Sequence, residues 1–204
     1  MKQASAKKTP PASACWGQNE AAKGNKMIYL VRYHGPFGFI KPWTAVRDTF
    51  THSQTFLTPS IIEGMRQKLE VSAISRHRLR HRGLNVQQER TQSAGWKANP
   101  KQMSRSLSII ERGVMLQPEL FLAFPTIEDA EKASTQHLCL CRNEDVLFPS
   151  DKIEIMDEVT FDKLPGIELQ FEPSSESSPE AFLVGYNRFD EAKPMYGRLV
   201  IVEE

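Results

Sequence analysis

The sequence predicts an α+β fold, and three observations carry that expectation. Strand-like runs of β-branched and aromatic residues alternate with two stretches of helical periodicity. Each helical stretch opens on its own capping signal. The order strand, helix, strand, strand, helix, strand is that of a ferredoxin-like, RRM-like unit. At 204 residues, 40% apolar and 25% charged, the chain is long enough for one ordinary core with appendages.

Taken in order, Met1–Lys26 carry Lys, Ala, Ser, Thr, Pro and Gly with little to bury, and read as a flexible tail. Residues 28–34 (Ile-Tyr-Leu-Val-Arg-Tyr-His) suit a central strand, which Gly35-Pro36 ends. Thr58 as N-cap and Pro59 at the first helical position open a helix. Ile61, Ile62, Met65 and Leu69 then recur at helical spacing as far as about Glu70. Residues 119–124 form the next strand candidate, and Thr126 with Asp129 three residues on starts a second helix that runs to about Ser134. Residues 137–142 read as a strand, and extra C-terminal strands are expected at 152–160, 167–171, 181–186 and 198–202. Residues 173–179, rich in Ser and Glu, read as a solvated loop.

Charge is sorted along the chain. Up to Pro118 there are 19 Lys and Arg against 6 Asp and Glu; from Glu119 onward there are 7 against 19, beneath a total of +1. Like charges gathered together repel unless something of opposite sign lies between them, so the basic half is expected to meet a polyanion.

The densest basic stretch spans residues 75–105 and holds Arg76, Arg78, Arg80, Arg82, Arg90, Lys97, Lys101 and Arg105, with Glu89 as its one acid. A helix would scatter Arg76, Arg78, Arg80 and Arg82, whereas a strand aligns all four on one face and leaves His77, Leu79 and His81 on the other. Gly83 and Gly95 let such an arm turn back as a long hairpin or a flexible loop. Guanidiniums at every second residue match successive phosphates, and Trp96 beside Lys97 offers a stacking surface for a base. The plain alternative is a basic loop that solubilises the protein or touches an acidic subunit. A second cluster runs from Arg32 to Gln54 and holds His34, Lys41, Trp43, Arg47, His52 and Gln54 among Gly35, Pro36, Gly38 and Pro42. It reads either as a backbone turn close to a ligand or as a turn whose Trp plugs a core.

Catalytic groups are sparse. His34, His52, His77 and His81 suit general-base work in metal-free RNA cleavage, but no spacing ties them to a Tyr or Lys. His137, Cys139 and Cys141 alternate on one strand face; without a second Cys/His pair they read as core packing, not as a metal site, and no cofactor is expected. Three cysteines give no disulfide framework. No run approaches the roughly 18 apolar residues of a membrane span, and no apolar leader opens the chain, so a cytoplasmic protein with no membrane partner is expected.

His34-Gly-Pro-Phe-Gly-Phe39, Lys41-Pro42, Arg47-Asp48 and Phe56-Leu-Thr-Pro-Ser-Ile-Ile-Glu-Gly64 resemble the N-terminal pattern of the CRISPR-associated Cas-five family, a RAMP-type subunit of class 1 surveillance complexes. Glu111-Arg-Gly-Val-Met-Leu-Gln-Pro-Glu-Leu-Phe-Leu-Ala123 is similar to that family's strand after its thumb. Residues 127–133 look like its second helix, and Leu138-Cys-Leu-Cys-Arg-Asn-Glu-Asp-Val146 like its "Leu-x-Leu-Gly-Arg-x-Glu-Asp-Leu" segment. The likeness covers about residues 27–159. Thr58 stands where the family has the first Pro of a "Pro-Pro-Ser-Thr-x-x-Gly" helix start, and Cys141 where it has Gly.

The resemblance implies one RAMP domain over residues 27–204, with a basic thumb inserted at about 74–106. It implies a non-catalytic subunit that binds the 5′ handle of a CRISPR RNA and caps a filament of backbone subunits in antiviral defence. It also implies contact with a large subunit, through which the complex reaches target DNA. The RNA-binding residues expected are His34, Lys41, Trp43, Arg47, Arg76, Arg78, Arg80, Arg82, Arg90, Trp96, Lys97, Lys101 and Arg105. In one branch of the family this subunit also cuts precursor RNA, so a metal-independent endoribonuclease is the enzyme alternative. A basic protein-interaction module is the third.

Overall fold

The computed structural model describes residues 27–42, 50–92, 97–99, 102–104, 107–174, 176–187 and 191–203. The expected N-terminal tail lies outside them. Among the described residues seventeen elements follow one another. First come β1 (Met27–His34), β2 (Phe37–Gly38), β3 (Phe50–His52), α1 (Pro59–Leu69), β4 (Arg76–Arg80) and β5 (Gly83–Gln92). Next are β6 (Lys97–Asn99), β7 (Gln102–Ser104), β8 (Leu107–Leu116), β9 (Glu119–Phe124), α2 (Ile127–Ser134) and β10 (Leu138–Cys139). Last are β11 (Val146–Asp157), α3 (Glu158–Asp162), β12 (Gly166–Glu172), β13 (Phe182–Asn187) and β14 (Lys193–Val202). The fold is therefore α+β with sheet predominating. No helix among the described residues is long and apolar enough to cross a membrane.

The chain divides into two compact units, one built on Met27–Glu168 with Ile201–Glu204 and the other on Leu169–Val200. In the larger unit the strand order is β10-β11-β1-β9-β4, antiparallel throughout, and the start of β12 pairs with β4 through Ile167 and Leu79. In the smaller unit β13 pairs antiparallel with β14, with a register shift between Leu183 and Gly185.

Both helices form for the local reasons read above. Thr58 accepts a hydrogen bond from the Ile61 amide, Pro59 sits in the first turn, and Glu70 ends the helix in the left-handed conformation. Ile62, Met65 and Leu69 are its buried stripe. Thr126 accepts from the Asp129 amide to open α2. The Asp129 carboxylate then holds Ser72 by its amide and hydroxyl, and Gln136 Nε2 donates to the Leu69 carbonyl, tying the two helix ends together.

β1 has two buried faces. Tyr33 is fully buried and donates to the Ala133 carbonyl of α2 at 2.6 Å, so α2 covers that side. On the other side Ile28 and Leu30 pack with Phe121, Ala123, Met156 and the α3 residue Phe161. Burying each such side chain contributes about 1.5–3 kcal/mol. α3 covers one end of this second face and leaves the end bearing Arg32, His34 and Glu119 open.

A second sheet grows from the first. β5 and β8 form a long antiparallel hairpin, from Gly83 opposite Leu116 to Gln92 opposite Leu107. β2 and β3 line the other edge of β8, and β6 pairs with β7. Arg112 and Arg142 lie over the Phe39 ring, 5.0 and 5.6 Å from its centre, and Glu89 takes a hydrogen bond from Arg112 at 2.5 Å.

Four expectations need correction. The basic arm does not leave the body at residue 74: β4 is a strand of the central sheet, because His77 and Leu79 are buried and pair with β9. The projecting hairpin starts at Gly83. Residues 137–142 are a strand only over Leu138–Cys139, since the Asp145 carboxylate draws residues 140–145 into a turn by accepting from the Arg142 amide, Nε and Nη2. His137, Cys139 and Cys141 are exposed rather than core, because Leu138 and Leu140 occupy the interior. The strand expected at 152–160 is shorter at its end: Asp157 caps the Thr160 amide and begins α3.

Candidate nucleic-acid interface

The ladder Arg76, Arg78, Arg80 is extended, as its alternation required, and its side chains share the sheet face of Phe121 and Ala123. Arg76 and Arg78 do not project into solvent. Arg76 grips Glu168 with both ends of its guanidinium, at 2.6 and 2.7 Å, and reaches Asp162 at 2.8 Å. Arg78 is completely buried and donates to Glu168 at 3.2 Å and to the carbonyls of Asp162 and Leu164. Both guanidiniums lie over the Phe161 ring, 4.8 and 5.3 Å from its centre. Burial opposes the charge on Arg76, and the bonds to Glu168 more than restore it, so its pKa moves up. Arg76 and Arg78 are therefore withdrawn as phosphate contacts. The polyanion they meet is the acidic half of their own chain.

The open end of the same face carries a groove. Two cavities compose it and share Gln117 and Glu119. One, of about 660 Å³, is lined by Arg80, His81 and Arg82 with apolar walls that include Leu79, Ile167 and Ile201. The other, of about 520 Å³, is lined by Arg32, His34, Gly35, Pro36, Pro118 and Ser150. Backbone bonds fix its rim: Gly35 N–H donates to Pro118 O at 3.2 Å and Gln117 N–H to Pro36 O at 2.9 Å. Gln117 takes the left-handed conformation, φ 46, where β8 turns into β9.

Glu119 stands at the junction. Its Oε1 accepts from Arg32 and its Oε2 from Arg80 at 2.6 Å. Burial pushes this carboxyl up, but the two guanidiniums prevail and hold it below the ordinary range. Arg32 and Arg80 also lie 5.9 and 5.7 Å from the Phe121 ring centre. The pKa of the His81 imidazole is pulled down by burial against a bond to the Gly83 backbone, and its Nδ1 has no hydrogen-bond partner among the described residues. Arg82 is exposed and has no carboxylate partner among the described residues.

Of the residues expected to bind RNA, His34, Arg80 and Arg82 are thus brought together at this groove. Arg90 is exposed on the hairpin, opposite Ile109, and Lys41 is exposed after β2, both away from the groove's lining. Lys97 opens β6, while Trp43, Arg47, Trp96, Lys101 and Arg105 lie outside the described residues. Gln117 and Glu119 were missed, and Arg32, at the start of the second cluster, was not counted among the RNA-binding residues. Arg32 had a legible signal, since alternation puts it on the face of His34; the position of Glu119 depended on a pairing between remote strands. No group of three or more His, Cys, Asp or Glu among the described residues could hold a metal. No protein-family model and no curated protein matches the chain.

Proposed function

We propose that this chain is a ferredoxin-like, RNA-binding subunit of a CRISPR RNA-guided surveillance complex, holding the 5′ handle of the guide and capping the backbone filament. The reading is one of binding, with the RNA entering the groove between the central sheet and the base of the hairpin. The observation that carries it is that groove, whose two cavities are lined by Arg32, His34, Arg80, His81 and Arg82. Two further features support it. The order β11-β1-β9-β4, with α1 and α2 in the two crossovers, matches strands four, one, three and two of a ferredoxin-like unit. The β5/β8 hairpin also emerges between the second and third of those strands, where the family resemblance places a thumb. A backbone subunit and a large subunit are the protein partners this reading implies.

The test is equilibrium binding of single-stranded repeat RNA across a salt series, with wild type and the variant Arg82→Ala, which changes a residue lining the groove. The side chain is exposed and has no carboxylate partner among the described residues, so stability should change by less than about 0.5 kcal/mol. Affinity should fall, and the slope of log K against log salt should flatten by roughly 0.7, the share of one phosphate of a single strand that is no longer neutralised. An unchanged affinity and slope would falsify the assignment.

A further inference from the structure

Glu119 is out of place in a groove for a polyanion. It stands where the two cationic cavities meet, about one-fifth exposed, and a phosphate laid against it would be repelled. Across β4, β9 and β1 the order of charge is cation, anion, cation: Arg80, Glu119, Arg32. Both guanidiniums bond the same carboxylate, one at each of its oxygens, so the two cations flank it closely. A nucleic-acid backbone alternates in the same sense, phosphate, sugar, phosphate. A strand that rests its phosphates on the two cationic cavities presents a sugar to Glu119.

The carboxylate has capacity for one donor there. Ionised, it only accepts, at about four lone-pair positions. Arg80 Nε and Nη2 both reach Oε2, and Arg32 Nη2 reaches Oε1. Among the described residues a single position on Oε1 is left. A phosphate offers no proton to it and deoxyribose offers none either, whereas the 2′-hydroxyl of ribose offers one.

We propose that Glu119 is the sugar-selecting residue of the groove: its remaining Oε1 position accepts the 2′-hydroxyl of the nucleotide whose flanking phosphates lie on the Arg32 and Arg80/Arg82 sides. The site then takes RNA and discriminates against DNA. This rests on the RNA-binding reading above. The two guanidiniums have a second role in it, since they hold the carboxyl in the ionised, accept-only form.

The test compares three versions of one labelled single-stranded oligonucleotide containing uridine: RNA, 2′-deoxy, and 2′-fluoro, which lacks the hydroxyl proton. Because the bases are identical, a donor on a base cannot produce a difference. Wild type should bind RNA about tenfold or more tighter than either analogue, the effect of one charge-assisted hydrogen bond. For Glu119→Ala the three affinities should converge, at or above the wild-type value for DNA, since a negative charge has been removed. The inference is overturned if Glu119→Ala keeps the wild-type preference for RNA, or if 2′-fluoro RNA binds wild type as tightly as RNA. The 2′-fluoro comparison needs no variant, so it stands even if Glu119→Ala does not fold. If wild type binds none of the three, the RNA-binding reading fails and takes this inference with it; if it binds all three equally, sugar selection alone fails.

Discussion

Acidification should loosen this fold through one buried imidazole. His77 lies in β4 inside the larger unit, and burial pulls its pKa from 6.5 down to about 4, with Glu168 opposing the shift and Arg76 and Arg78 adding to it. Its Nε2 has no hydrogen-bond partner among the described residues. In the unfolded chain the same ring titrates near about 6.5, so as the pH falls the unfolded state takes the proton first. The folded pKa is the lower of the two. Stability is therefore complete above about pH 6.5, is lost as the pH falls, and stops falling on this account below about pH 4. From pH 7 to pH 5 the loss is about 2 kcal/mol, a large part of the roughly 5–15 kcal/mol that holds a domain together. The assay is urea unfolding at pH 7, 6 and 5 for wild type and for His77→Leu. Carboxylates and the other histidines titrate alike in both proteins, so the difference between the two curves isolates His77. Wild type should lose about 2 kcal/mol more than the variant over that interval. Parallel stability curves would refute the reasoning.

Two further substitutions probe the packing beside that imidazole. Glu168→Ala leaves the fully buried Arg78 without its carboxylate and should destabilise the protein by about 3–5 kcal/mol in thermal or urea unfolding. A loss below about 1 kcal/mol would show that the cluster is not the internal neutralisation described here. Gly166 has φ +127, and a Cβ there would sit 2.8 Å from the Leu79 carbonyl oxygen and 3.0 Å from Arg78 Cγ. Gly166→Ala should therefore cost more than about 1 kcal/mol, and an unchanged midpoint would contradict the geometry of the β4–β12 pairing.

What the sequence disclosed was the local part of the structure. Thr58 and Thr126 each cap an amide three residues on, so both helices begin where they were expected. β1 and the extended form of Arg76–Arg80 were legible from residue type and alternation. The fate of the arginines was not. Arg32 meets a carboxylate 87 residues on and Arg76 one 92 residues on, and those meetings follow from strand register, which no window of sequence contains. The turn at 140–145 escaped for a related reason: alternation of Leu138 and Leu140 with two cysteines looks like a strand until the Asp145 carboxylate folds it back. The groove was half legible, since His34 and two of its arginines were named as binding residues while the acid at its centre was not.

The pairing of early arginines with late carboxylates has a consequence for synthesis. Translation delivers Arg32, Arg76, Arg78 and Arg80 well before Glu119, Asp162 and Glu168. For that interval the emerging polypeptide is a polycation beside the ribosome's own nucleic acid, and completion of the C-terminal segment ties up these four of the 19 lysines and arginines that precede Glu119.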